Sequence, residues 1–323
     1  MTTPPAPAAA AASGVLVVDK PAGPTSLDVV KRVQRALGAG TAGHAGTLDP
    51  AATGVLAVCL GEAVKLQQFL SDGDKAYDAT VAFGAATSTE DAEGTVVERG
   101  DPAPLDAERV GAALARFQGE IAQVPPMYSA VRVGGRRLHE AARAGEDVSR
   151  TPRKVRVDAL ALLELGPVEE GGLRRARLSV RCGKGTYVRT LAADLGRALG
   201  VPAHLAALRR TMASGFTIEE ALPLERAEAL ARAEGPAALA ARLVPLADAL
   251  RGAAALPLAP REAWDLVHGR PVAPAGVPRD GLLRLLAPDG RLAAVGRAEE
   301  GRLRPLRVFL SPGDLRPPGA GNR

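Results

Sequence analysis

Residues 38–54 read GAGTAGHAGTLDPAATG, and glycines at 38, 40, 43, 46 and 54 keep helix and long strand from forming there. This stretch constrains the chain more than any other, because strong element signals hold it on both sides. Before it, Leu27, Val30, Val33 and Leu37 recur at helical spacing over 26–37. Thr25 and Asp28 form a capping pair at the start of that segment and Gly38 is a stop at its end. After it, 55–60 is a short apolar run of strand length. The expectation is a loop pinned between a helix and a buried strand, which is where chemistry is usually placed.

The rest of the chain mixes strands and helices without regular βαβ alternation. GVLVVDKP at 14–21 reads as a buried strand ending at a proline. Further strands are expected at 74–83, 129–133, 155–165 and 173–182, and helices at 106–117 and 186–199. An Ala/Leu-rich helical tract is expected over 223–250, followed by short strands with turns at 288–290 and 300–301. That order predicts an α+β (mixed α/β) fold with a central mixed, largely antiparallel sheet, plus a small β-rich C-terminal module. The expected divisions are a Pro/Ala tail at 1–13, a main domain at 14–250 with an insertion at about 125–154, the module at 256–311, and a tail at 312–323.

Charge and cysteine usage narrow the function classes. Lys and Arg number 41 against 36 Asp and Glu, and the excess is concentrated. Residues 131–156 carry eight basic and three acidic side chains, and 172–197 carry seven and one. Two such stretches fit a phosphate backbone, although solvated faces of ordinary elements would read the same way. No run reaches the 18 or so apolar residues a membrane span needs, and the first residues lack a basic leader, so a cytoplasmic protein is expected. Cys59 and Cys182 have no paired spacing, and His44, His139, His204 and His268 are scattered, so neither disulfide nor metal is expected. Gly38, Gly40 and Gly43 spell G-x-G-x-x-G, but a helix precedes them where a dinucleotide site needs a strand. CGKGTY at 182–187 likewise has Leu178 where a phosphate loop needs glycine.

Asp49 stands before Pro50, which holds it out of helical backbone, in a loop whose glycines permit close approach. Taken alone, such an Asp-Pro is usually a turn. The string GHAGTLDPAATGVL, however, strongly resembles the nucleophile motif of the TruB family of pseudouridine synthases. GVLVVDKPAGPTS, LGEAVKLQQFL, DKAYDATVAFGAATSTEDAEG, QVPPMYSAVRVGGRRLHEAARAG and CGKGTYVRTLAADLG resemble further family segments, in order over most of 14–215. Beyond about residue 256 the chain more loosely resembles the family's PUA-like RNA-binding module. Departures are Gly183 where many relatives have Ser, and EDAEG where Asp-Ala-Asp-Gly is common.

The resemblance implies a bacterial enzyme that isomerises the T-loop uridine at position 55 of tRNA, with the target base flipped out and no cofactor or metal. The T-stem-loop is the implied partner, and the enzyme is implied to act as a monomer without an obligatory protein partner. Relatives guided by small RNAs, or a role as a tRNA-folding chaperone beside catalysis, are the competing readings. Asp49 is implied as nucleophile at the sugar or as base at C2′, Arg189 as its ionic partner, and Tyr77 as the residue stacking on the base and a candidate to take the C5 proton. His44 is implied to fill the vacated stack. Tyr187 is expected beside Arg189, Lys20 and Pro21 at the pocket floor, and Leu208 on its wall. Lys65 and the basic run are expected on the RNA backbone, with Arg136 and Arg137 on a thumb-like insertion.

Overall fold

The computed structural model describes residues 12–129, 132–133, 136–137 and 148–315. In chain order the first strands are β1 (Gly14–Lys20), β2 (Ala42–Ala45), β3 (Thr53–Leu60), β4 (Lys75–Phe83), β5 (Ala85–Thr87), β6 (Val96–Arg99) and β7 (Gly119–Gln123). After the two-residue β8 (Arg132–Val133) and β9 (Arg136–Arg137) come β10 (Arg153–Val168), β11 (Arg174–Cys182), β12 (Ala203–Ala213), β13 (Phe216–Thr217) and β14 (Leu222–Pro223). One sheet runs β14-β1-β3-β12-β4-β11-β10-β7, with β2 added on β3 and β13 on β12. Its pairs are antiparallel except β1 with β14 and β3 with β12. The mixed, largely antiparallel sheet of an α+β fold is therefore present.

Strand periodicity explains the continuous apolar runs 15–18 of β1 and 55–60 of β3. Side chains alternate between faces, and both faces are covered. Val15, Val17, Val55, Ala57 and Cys59 enter one core, and Leu16, Val18, Leu56, Val58 and Leu60 the other. The second core is closed by Val29, Val30, Val33 and Leu37 of the Ser26–Leu37 helix, whose first turn carries the Thr25–Asp28 capping box and whose end is Gly38 at φ 61°. At the far half of the sheet the Val188–Leu199 helix buries Val188, Leu191 and Leu195. Each such side chain contributes about 1.5–3 kcal/mol, which fixes the start of that helix against β12 and β4.

Beyond 250, β15 (Ala254–Pro257), β16 (Gly281–Leu286), β17 (Leu292–Glu299) and β18 (Arg302–Val308) form a separate sheet. One face packs on the Pro260–Val267 helix through Ala263 and Leu266, while Leu292 and Val295 join the core that contains Val15 and Ala57. The small β-rich module thus leans on the main sheet through shared apolar side chains.

Two element expectations are corrected. The tract at 223–250 is three short helices, Leu224–Glu234, Pro236–Ala240 and Leu246–Ala249, because Gly235 at φ 88° ends the first and Pro245 precedes the last. The glycine-rich segment is not all loop, since Ala42–Ala45 adds a strand to β3. Of the insertion expected at 125–154, residues 130–131, 134–135 and 138–147 lie outside the described residues, as do both expected tails apart from 12–13 and 312–315. Among the described residues no helix is long and apolar enough to cross a membrane.

Candidate active site

The segment between β2 and β3 is held almost carbonyl by carbonyl. Arg210 donates to Gly46 O (3.1 Å) and Thr47 O (3.3 Å), and Ser26 Oγ donates to Leu48 O (2.9 Å) while accepting from Leu48 N. Ala52 N donates to Asp49 O, and Lys20 Nζ donates to Pro50 O (3.0 Å) and Ala52 O (2.8 Å). Buried backbone acceptors need partners, and here they are drawn from three separate elements. With the main chain occupied in this way, the Asp49 side chain is free to face outward into a cavity.

Arg189, on the first turn of the Val188–Leu199 helix, meets that carboxylate: its Nε lies 3.1 Å from Asp49 Oδ2. Its side chain is 8% exposed against 42% for Asp49, so the cation is built into the wall and the carboxylate reaches solvent. The other guanidinium nitrogens donate to Asp91 Oδ2 (3.2 Å), Thr89 O (3.4 Å) and Tyr128 O (2.9 Å). Burial pushes the Asp49 carboxyl above the usual carboxylate range, and Arg189 and Lys20 oppose that push while Asp91 adds to it. Asp91 is itself fixed by Thr89 Oγ1 and by Glu93 N.

Tyr77 lies on β4 between Val180 of β11 and Arg210 of β12, and is buried. Burial raises its phenol pKa, and the adjacent Arg210 guanidinium acts in the opposite direction. The cavity, about 820 Å³, is lined by Asp49, His44, Tyr77, Tyr187, Arg189 and Leu208 among others. Tyr187 is held by Gln123, whose amide donates to its carbonyl and accepts from its N–H. His44 Nδ1 is buried without a hydrogen-bond partner among the described residues, and burial, with Arg210 nearby, lowers its pKa, favouring a neutral ring. Among the described residues no group of three or more His, Cys, Asp or Glu could hold a metal ion. Both thiols are buried, and burial pushes Cys59 up to about 12 and Cys182 to about 11, which leaves them protonated.

Six residues named from the sequence are on the cavity wall, and two expected at its floor, Lys20 and Pro21, are not; Lys65, Arg136 and Arg137 were expected on RNA and not in the cavity. Lys20 and Pro21 are behind the loop, where the fully buried Lys20 ammonium also takes Pro21 O, and neither lines the cavity. Lys65 is away from the cavity, paired with Glu62 and 5.9 Å from the Phe309 ring centre. Arg136 and Arg137 form β9, paired antiparallel with β8, and their side chains lie outside the described residues. In the second basic stretch, Arg175 and Arg177 are paired with Glu169 and Glu164. Asp91 and Arg210 were missed. The only available signals were their places in the EDAEG segment and in HLAALRRT at 204–211, beside Leu208.

Comparison with known proteins bears on the whole chain. Residues 34–188 match the family model described as TruB family pseudouridylate synthase (N terminal domain), 189–251 that of tRNA pseudouridylate synthase B C-terminal domain, and 254–310 that of tRNA Pseudouridine synthase II, C terminal. Proteins named tRNA pseudouridine synthase B from Stutzerimonas stutzeri and Ruegeria pomeroyi are each 45% identical, over 93% of this chain and 96% of theirs. One from Pseudomonas aeruginosa is 43% identical over the same shares. Among solved structures, a chain of a Cbf5-Nop10-Gar1 complex superposes with TM-score 0.73 at 26% identity, covering 97% of this chain and 92% of that one.

Proposed function

We propose that this chain, which belongs to the TruB family of pseudouridylate synthases, converts the T-loop uridine at position 55 of tRNA to pseudouridine, with Asp49 as the reacting carboxylate. The observation that carries the reading is the Asp49–Arg189 pair on the wall of a cavity that also presents Tyr77.

Forming pseudouridine requires cleavage of the N1–C1′ bond, rotation of the uracil and a new bond from C1′ to C5. No electron or group donor enters. Attack at C1′ and proton removal at C2′ both need an ionised carboxylate, and Arg189 supports that state of Asp49 against burial. A base inside a folded loop is out of reach, so it is extruded at a cost of a few kcal/mol. Stacking on Tyr77 recovers about 1–3 kcal/mol, and the Tyr77 hydroxyl is the candidate acceptor for the C5 proton. The neutral His44 ring, on the wall of the same cavity, takes the place the base vacates. Tyr187 and Leu208 shape the cavity around the base. Lys65 and the basic run at 132–156, with Arg136 and Arg137, meet phosphates of the T-stem-loop. Lys65, Lys154 and Arg156 exchange their carboxylate partners Glu62, Glu120 and Asp74 for phosphate. The enzyme works as a monomer without a protein partner.

The test is Asp49→Asn assayed on a transcribed T-stem-loop by mapping pseudouridine. The expected result is no conversion with a native circular dichroism spectrum, and normal turnover by that variant overturns the assignment.

A further inference from the structure

Arg210 is the largest of the fully buried side chains, 1% exposed, and among the described residues it has no carboxylate partner. Arg189, by contrast, is held between the carboxylates of Asp49 and Asp91. Arginine keeps its proton in a protein, and a buried cation is unfavourable unless its donors are satisfied. The acceptors of Arg210 are three backbone carbonyls, and its guanidinium lies beside the Tyr77 phenol, which stands directly across from it in the β4–β12 register.

The identity of those carbonyls matters. Nη2 and Nη1 take Gly46 O and Thr47 O, just before Asp49, and Nε takes Val55 O (2.7 Å), just after the loop closes. One rigid fork therefore spans both ends of the Asp49 segment. The backbone of Arg210 is equally committed: it lies opposite Tyr77 on β4 and opposite Gly54 on β3. Gly54 has φ 102°, and a Cβ built there would sit 2.1 Å from Arg210 O, so the approach requires glycine.

We infer that Arg210 is a positioning residue for the isomerisation: its guanidinium fixes both ends of the Asp49 loop while its strand position sets it across from Tyr77, so that carboxylate and phenol face one base from set positions. The inference rests on the proposed uridine isomerisation. It also has an electrostatic consequence that needs no substrate. The charged or titratable groups facing Tyr77 are Arg210 from β12, Cys182 from β11 and Asp49 from the loop, and of these Arg210 alone favours the phenolate.

Arg210→Met and Arg210→Lys in the full chain separate the possibilities. A misplacement of about 1 Å costs about 100-fold in rate, so the Met variant is expected to lose about that much in single-turnover rate with tRNA affinity near wild type. Its tyrosinate absorbance, with Tyr77→Phe as the subtraction, should titrate at higher pH than wild type. The Lys variant keeps the cation but cannot span three carbonyls. It is expected to titrate near wild type and still turn over about 10-fold or more slower, and it carries the test if the Met variant does not fold. A folded variant of either kind with wild-type turnover, or a Met variant with an unmoved tyrosinate transition, overturns the inference. If the wild-type chain makes no pseudouridine, the functional reading fails, yet the titration still decides whether Arg210 governs Tyr77.

Discussion

Beside the cleft, Arg189 and Arg210 are buried and their guanidinium nitrogens are bonded to named carboxylates and carbonyls. On the C-terminal sheet, Arg297, Arg302, Arg304 and Arg307 are exposed, and among the described residues none has an ion-pair partner. Arg297 even stands directly across from Arg304 in the β17–β18 register. A charge in a low-dielectric wall acts strongly on its neighbours and is little affected by salt, whereas an exposed one is screened within about 10 Å at 0.1 M salt. The first region is thus suited to directing protons and a sugar carbon, and the second to drawing in a polyanion.

Removing the cation from the cleft should have the largest effect. Arg189→Met leaves Asp91, itself 15% exposed, without its ionic partner, and breaking a buried pair in this way costs about 3–5 kcal/mol. Urea unfolding should show a loss of that order. Because Arg189 opposes the upward push on Asp49, its loss raises the Asp49 pKa further, and the ionised form is lost at higher pH. Any residual turnover should therefore begin to fail at higher pH than in wild type. An unmoved acid limb would mean that Arg189 does not support the Asp49 carboxylate.

The complementary change should have a smaller effect, of opposite sign on stability. Burial raises the folded-state pKa of Asp49 above its unfolded value, so its favourable contribution is present below the unfolded pKa and lost as pH rises through the folded one. Near neutral pH the ionised group is a burden on the fold. Asp49→Asn, expected to be inactive under the proposed function, should melt no lower than wild type at pH 7, and a clearly lower melting temperature would show that the Asp49–Arg189 pair serves stability.

What could be read beforehand follows how local each interaction is. The Thr25–Asp28 capping box and the Gly38 stop depend on neighbours within a few residues and were legible. The β2 strand was not, because its residues AGHA carry no strand preference and it forms by pairing with β3. Asp49 was visible through the motif around it. Asp91 and Arg210 act across 98 and 155 residues of chain, on Arg189 and on Val55, and no spacing in the sequence announces such partners. The net basic charge was equally uninformative about placement: it counted Arg175 and Arg177, which are paired, alongside Arg302 and Arg304, which are not.

The smallest expected effect belongs to the exposed region. Arg302 and Arg304 lie two apart on β18, hence on one face, and Arg304 is opposite Arg297. An exposed ion pair is worth about 0.2–1 kcal/mol, so Arg302→Gln with Arg304→Gln should weaken tRNA binding by about 2- to 30-fold at low salt. Each phosphate that is no longer neutralised should also flatten the dependence of log affinity on log salt by about one unit. The single-turnover rate at saturating tRNA should be unchanged, because both arginines are outside the cavity wall. Filter binding at several salt concentrations, paired with that rate, checks both halves. Unchanged affinity and slope would show that the unpaired arginines do not meet phosphate, while a slower saturated rate would mean that the C-terminal sheet reaches the chemistry through the core it shares with β1 and β3.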